Sequence, residues 1–192
     1  MDEPTSAGPP LARRAPRRPL VALLVVLGAI VYATDQVTKA LALRYLDAAE
    51  PLSVVDGVLQ LRLVFNPGAA FSLGTNMTWL LTIVAVVVVI AVVRIARRLG
   101  SRGWAVALGL LLAGALGNLT DRLLRPPAFG RGHVIDFLEL PNWPVFNVAD
   151  TSIVTAAVLI ALLGFRGIGV DGRREQRDGD RAGNRDSGAT RA

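Results

Sequence analysis

The chain has no cysteine, a single lysine and a single histidine in 192 residues, and only 19% of its residues are charged. Each shortage removes a chemistry. Without cysteine there is no thiol nucleophile. Zinc sites usually take three or four ligands from Cys, His and carboxylates, and His133 alone cannot anchor the common kinds. A Ser-His-Asp triad would have to be built on that same histidine, which makes it a poor fit. Aspartates are the chemically able side chains left inside the apolar part of the chain. A soluble domain carries about a quarter charged residues. The deficit here is gathered into long uncharged runs rather than spread evenly.

The net charge of +6 is almost entirely arginine. A basic balance can signal nucleic acid, but these arginines sit in the tails and one short loop, flanking apolar runs. That pattern reads as membrane orientation, with no nucleic-acid partner. The fold expected is an all-α polytopic membrane protein with four transmembrane helices and a small extracytoplasmic β-sheet. Residues 1–18 read as a disordered cytoplasmic tail, 19–168 as the four-helix membrane domain, and 169–192 as a second disordered tail.

The apolar runs are Leu20–Ala33, continuing in helical pattern to Leu43; Trp79–Val93; Trp104–Leu124; and about Asp150 to Phe165. A cleaved signal peptide is the rival reading of the first, with Val31-Tyr32-Ala33 as its small-residue site. Three later runs favour a retained helix. Each uncharged run falls short of the ~20 residues that span a bilayer unless polar residues at one end are counted. Function is therefore expected at those ends. Arg13, Arg14, Arg17 and Arg18 precede the first helix; Arg94, Arg97, Arg98 and Arg102 separate the second and third; Arg166, Arg173 and Arg174 follow the fourth. Four spans put all three clusters on one side, so both termini should be cytoplasmic and the long connections 47–78 and 126–149 outside. Asp56-Gly57 between alternating apolar residues predicts a hairpin in the first outer connection. Pro126, Pro127, Pro141 and Pro144 predict an irregular second one.

Five polar clusters fall at the outer ends. Asp35 and Lys39 are spaced i, i+4 and share a helix face; an interfacial ion pair finishing the helix is the plain reading. Asn66-Pro67-Gly68 is a turn in almost any protein, or a loop whose backbone passes close to a ligand. Asn118, Asp121 and Arg122 can share one face, either as a structural Asp-Arg pair or as the polar lining of a cavity. Asp136 lies in an apolar stretch with only His133 nearby, as a turn cap or as a reactive carboxyl. Asp150 begins the fourth helix behind Asn147, where a capping carboxylate is favoured anyway. Several aspartates at one end of a membrane protein suggest a carboxyl pair. Two carboxyls sharing a site cannot both ionise easily, so one keeps a proton while the other serves as a base. Such a pair can activate water and protonate a leaving amine.

Five motifs in this order resemble those of the lipoprotein signal peptidases, also called signal peptidase II. They are Asp35-Gln36-x-x-Lys39, Asn66-x-Gly68-Ala69-Ala70-Phe71, Gly117-Asn118-x-x-Asp121-Arg122, Val134-x-Asp136-Phe137 and Phe146-Asn147-x-Ala149-Asp150. The resemblance spans residues 20–165. It implies an aspartic endopeptidase of the bacterial cytoplasmic membrane, with no cofactor or metal, that removes signal peptides from diacylglyceryl-modified prolipoproteins just before the lipidated cysteine. Its partners would be those substrates and membrane lipids, and it would act as a monomer with its site near the outer face. By the same resemblance Asp136 and Asp150 are the catalytic pair, and Asn66, Gly68, Asn118, Arg122 and Asn147 line the site. Asp35 and Lys39 support the outer end of the first helix. Asp121, the rival member of the pair, is expected to partner Arg122. Phe65 stands where the family often has arginine, and the stretch between Arg122 and Val134 is longer than usual. Two other classes compete: a small transporter or channel subunit, which would also bury charge, and a Ser-Lys peptidase using Lys39 and Ser72. Against the latter, Asp35 at i−4 would keep Lys39 charged and a poor base.

Overall fold

The computed structural model describes residues 17–68 and 78–174. Four helices in it are long and apolar enough to cross a membrane: α1 (Arg17–Tyr45), α2 (Thr78–Ala96), α3 (Arg102–Leu124) and α4 (Val148–Phe165). The outward faces of α1, α2 and α4 carry exposed Val25, Val26, Ile30, Val37, Val87, Val154 and Val158, each more than half exposed. A contiguous apolar exterior of this extent suits lipid, not water.

Helix α3 is the hub, packed against the other three helices. Its buried face is made of small residues, including Ala105, Ala107, Gly109, Ala113, Gly114 and Gly117. Lipid tails are as apolar as leucine, so helices in a bilayer associate through close van der Waals packing. Gly114 makes that packing possible at α4: a Cβ there would lie 2.5 Å from the Ala149 carbonyl oxygen. Gly117 does the same beneath Asp35, whose carboxylate a Cβ would meet at 2.5 Å.

The long connections contribute a three-stranded antiparallel sheet, in the order β1 (Leu52–Val55), β2 (Leu59–Asn66), β3 (Val134–Glu139). The expected hairpin forms between β1 and β2, with Gly57 at φ 71° in its turn. The second connection is not irregular throughout, as its prolines suggested. Val134–Glu139 pairs with β2 in the register Val134–Asn66, Ile135–Phe65 and Asp136–Val64. The prolines lie on either side of that strand and none within it. Ile135 and Phe137 pack with Ala42 and Leu63 into a small core that fixes the sheet to the end of α1.

Helix α1 has 29 residues, or about 43 Å at ~1.5 Å per residue, and ends at Tyr45, two residues past the expected Leu43. Beyond α4, residues 168–174 fold back, with Gly100 N–H donating to the Val170 carbonyl and Trp104 Nε1 to that of Ile168. The stretch read as tail therefore begins with an ordered turn against the α2–α3 connection. Ala69, Ala70, Phe71 and Ser72 lie outside the described residues.

Candidate active site

The polar motifs meet where α1, α3, β3 and the start of α4 come together. Asp35, Lys39, Asn118, Asp121, Asp136 and Asn147 are all buried. The cluster has two layers.

The inner layer is an ion network. Lys39 Nζ lies 2.9 Å from Asp35 Oδ2, 2.8 Å from Asp121 Oδ2 and 3.0 Å from Asn118 Oδ1. An ammonium has three donors, and here each has an acceptor. Asp35 Oδ1 accepts the N–H of Ala149 at 2.9 Å, tying α1 to the first turn of α4. Asp121 Oδ1 accepts from Arg125 Nε, and its Oδ2 also takes the Ile135 N–H at 3.3 Å. Two expectations change here, and the case against a Ser-Lys pair stands. Asp35 and Lys39 are a fully buried pair inside the bundle, because α1 runs on past them. Asp121 pairs with Lys39 and Arg125, not with Arg122: four residues on puts Arg125 on the same helix face. Lys39 has no free N–H direction or lone pair to serve a serine.

The outer layer holds the two remaining aspartates. Asp136, on β3, accepts N–H groups from Asn66 Nδ2 at 2.8 Å and Asn147 Nδ2 at 2.6 Å. It is thus a strand residue and not a turn cap. Asp150 sits at the third position of α4, in a capping box with Asn147: its N–H donates to Asn147 Oδ1 at 2.9 Å and its Oδ2 accepts the Asn147 N–H at 3.2 Å. The capping role is real, but it uses only one carboxylate oxygen. The other, Oδ1, accepts Asn118 Nδ2 at 2.7 Å. Asn147 therefore touches both carboxyls. Burial, then the negative charge of Asp150, pushes the Asp136 carboxyl up to about 7, against the N–H groups of Asn66 and Asn147 and the charge of Lys39.

Asn66 reaches Asp136 because β2 ends there: its own Oδ1 accepts the Gly68 N–H at 2.8 Å in a tight turn, with Gly68 at φ 121°. Arg122 lies within electrostatic reach of Asp150, Asp136 and Asp121. Its Nη1 donates weakly to the Asn118 carbonyl at 3.4 Å, and its buried Nε has no hydrogen-bond partner among the described residues. His133 is peripheral; its backbone N–H closes the loop onto the Pro126 carbonyl. Phe65 is half exposed and lines an apolar cavity of about 320 Å³ with Leu43, Pro126, Pro127 and Ile135. Among the described residues no group of His and acidic side chains is arranged to hold a metal ion. Arg125 and the Ala149 N–H were not anticipated from sequence. The i, i+4 spacing of Asp121 and Arg125 was the available signal for the first; nothing local marks the second.

Comparison with known proteins gives a consistent picture. A family model described as signal peptidase (SPase) II matches residues 27–166. The chain is 50% identical over 174 residues to the lipoprotein signal peptidase of Rhodococcus jostii (strain RHA1), covering 91% of this chain and 86% of that one. It is 46% identical over 182 residues to the lipoprotein signal peptidase of Mycobacterium avium (strain 104), covering 94% and 98%. A bacterial membrane enzyme solved in meso at 2.3 Å resolution superposes with a TM-score of 0.69 at 26% identity, covering 81% of this chain and 95% of that one.

Proposed function

The chain belongs to the signal peptidase II family, and on that premise we propose that Asp136 and Asp150 make it an aspartic endopeptidase. It is a multi-pass bacterial membrane protein that removes signal peptides from prolipoproteins. In our reading its substrates carry a diacylglyceryl group, and the bond cut precedes the lipidated cysteine. The protein acts as a monomer in the cytoplasmic membrane. Both termini face the cytoplasm and the site faces outward, as the arginine clusters on one side of four spans support.

The observation that carries the reading is the Asn147 bridge, which holds the buried Asp136 carboxyl and the half-buried Asp150 carboxyl in one hydrogen-bonded group. Such a pair shares a proton. Asp136 holds it, being pushed up to about 7 by burial and by its neighbour's charge. Asp150 carries the charge, favoured by the partial positive charge of the α4 N-terminus. A water between them attacks the scissile carbonyl carbon while Asp150 takes its proton. Asp136 donates its proton to the carbonyl oxygen. On collapse of the tetrahedral species, Asp150 passes its proton to the leaving nitrogen, the C–N bond breaks and Asp136 recovers its own. The two carboxyls titrate as a unit throughout. Asn66 and Gly68 flank the cleft, and the unpartnered Arg122 Nε offers a donor to an incoming carbonyl or ester oxygen.

The test uses the purified full chain with a lipidated prolipoprotein peptide and its unlipidated counterpart. Asp136→Asn and Asp150→Asn each lose at least about a thousandfold in kcat, in line with removal of a general acid or base, while circular dichroism stays unchanged. Normal cleavage by either variant removes that residue from the pair. Equal cleavage of both peptides by the parent protein overturns the lipid dependence.

A further inference from the structure

We propose that Lys39 is a positioning residue of the reaction, acting on Asp150 through the carboxamide of Asn118. This rests on the catalytic pair described above. An asparagine carboxamide can present either its oxygen or its nitrogen to a neighbour, and its partners decide which. Lys39 has donors only, so its ammonium, 3.0 Å from the Asn118 side chain, admits only Oδ1. That choice turns Nδ2 toward Asp150 Oδ1, 2.7 Å away. Asn118 Oδ1 also takes Asn147 Nδ2 at 3.2 Å, which uses its second lone pair and links the relay to the nitrogen that contacts Asp136. Asn147 is locked separately, because its Oδ1 must face the Asp150 N–H.

The location argues against a merely structural ion pair. Lys39 is 0% exposed, and burying an ammonium is expensive. Two aspartates balance its charge, yet its third donor goes to a neutral amide. A pair serving stability alone would be replaceable by apolar side chains of similar volume, often at no loss. Replacing Lys39 by an apolar side chain removes the closer of the two donors that hold Asn118 Oδ1, leaves only Asn147 Nδ2 at 3.2 Å, and so loosens the contact of Asn118 Nδ2 with Asp150. Charged or polar groups facing the relay are Asp35 from α1, Asp121 and Arg122 from α3, Asp136 from β3 and Asp150 from α4.

Lys39→Met alone leaves two buried aspartates facing one remaining cation and can fail to fold. The informative variant is therefore Lys39→Met/Asp35→Asn. It removes one charge of each sign, leaves Asp121 paired with Arg125 and keeps an oxygen at position 35 for the Ala149 N–H. With full-length protein and a lipidated peptide, kcat should fall about 10- to 100-fold, the usual cost of losing a group that orients a reacting one. KM should change less than threefold. Asn118→Ala should lose a similar factor, and the triple variant should lose no more than Asn118→Ala alone. Lys39→Arg, with its planar fork, should regain only part of the rate. Wild-type kcat in the double variant overturns the proposal. So do losses that multiply when Asn118→Ala is added, since these mean that Lys39 acts independently of Asn118. Failure of the catalytic pair itself shows differently, as retained cleavage by Asp136→Asn or Asp150→Asn.

Discussion

The alkaline side of the pH profile should move to higher pH when Asn66 loses its side chain. Cleavage in our mechanism needs the proton on Asp136, which burial and the Asp150 charge push up to about 7. With an ionisation near 7, about nine-tenths of the protein is competent at pH 6 and about a tenth at pH 8, so kcat/KM should fall about tenfold between those values and approach a tenfold fall per unit beyond them. Asn66 Nδ2 donates to Asp136 Oδ2 at 2.8 Å and so favours the ionised form. A hydrogen bond to a charged group contributes about 1.5–3 kcal/mol, and each pKa unit corresponds to about 1.4 kcal/mol. Asn66→Ala should therefore carry the limb upward by about one to two units. Maximal kcat is lower in this variant, yet its relative activity at pH 8.5 exceeds that of the parent. Few substitutions that remove a polar contact have that signature.

The assay is initial-rate cleavage of a lipidated peptide in detergent or vesicles from pH 5 to 9.5, with protein integrity checked at each pH. A parent limb below pH 6 would remove the protonated role from Asp136. A limb near 7 that Asn66→Ala leaves in place would mean that the titrating group is not the carboxyl on β3.

Two further outcomes follow from packing and charge. Gly114→Val puts branched carbon against the Ala149 carbonyl, where even a Cβ would sit at 2.5 Å; α4 must back away from α3, with a loss of about 1–3 kcal/mol and of cleavage, read by thermal unfolding and peptide assay. Asp121→Asn strips a buried carboxylate from Lys39 and Arg125 and should destabilise the protein by about 3–5 kcal/mol, whereas Asp136→Asn mimics a protonated carboxyl and should leave the melting temperature within a few degrees of the parent.

Much of this architecture is legible in sequence because a bilayer enforces simple rules. Long apolar runs mark all four helices, and the arginine clusters order them. Asp56-Gly57 announces its hairpin through the left-handed backbone that the turn requires. Strand β3 was hidden for a physical reason. Val134 to Phe137 are all buried, so the segment has no polar–apolar alternation to display, and the prolines around it suggest irregularity. That these side chains would gather was legible, since aspartates and asparagines at the ends of apolar runs need a reason to be there. Their pairing was not. Asp121 stands beside Arg122 in sequence, but neighbours on a helix point about 100° apart, and the partner on the same face is Arg125. Lys39 finds Asp121 only because α1 and α3 pack closely enough to share a buried cation. That contact spans 82 positions and no local pattern encodes it.

The charge balance of the cluster favours one proton on the proposed pair of Asp136 and Asp150. Lys39, Arg122 and Arg125 supply three cations, and Asp35, Asp121, Asp136 and Asp150 supply four carboxyls. Placed next to a bilayer, an uncompensated charge costs several kcal/mol. Fully ionised, the group carries one negative charge; doubly protonated on the pair, it carries one positive charge. Only the singly protonated pair is neutral. The inner network is stoichiometric within itself, with Lys39 and Arg125 answering Asp35 and Asp121. Arg122 is left to answer whichever of Asp136 and Asp150 is ionised. The same count that lets this part of the chain sit at a membrane thus selects the protonation state in which a carboxyl pair can give one proton while taking another.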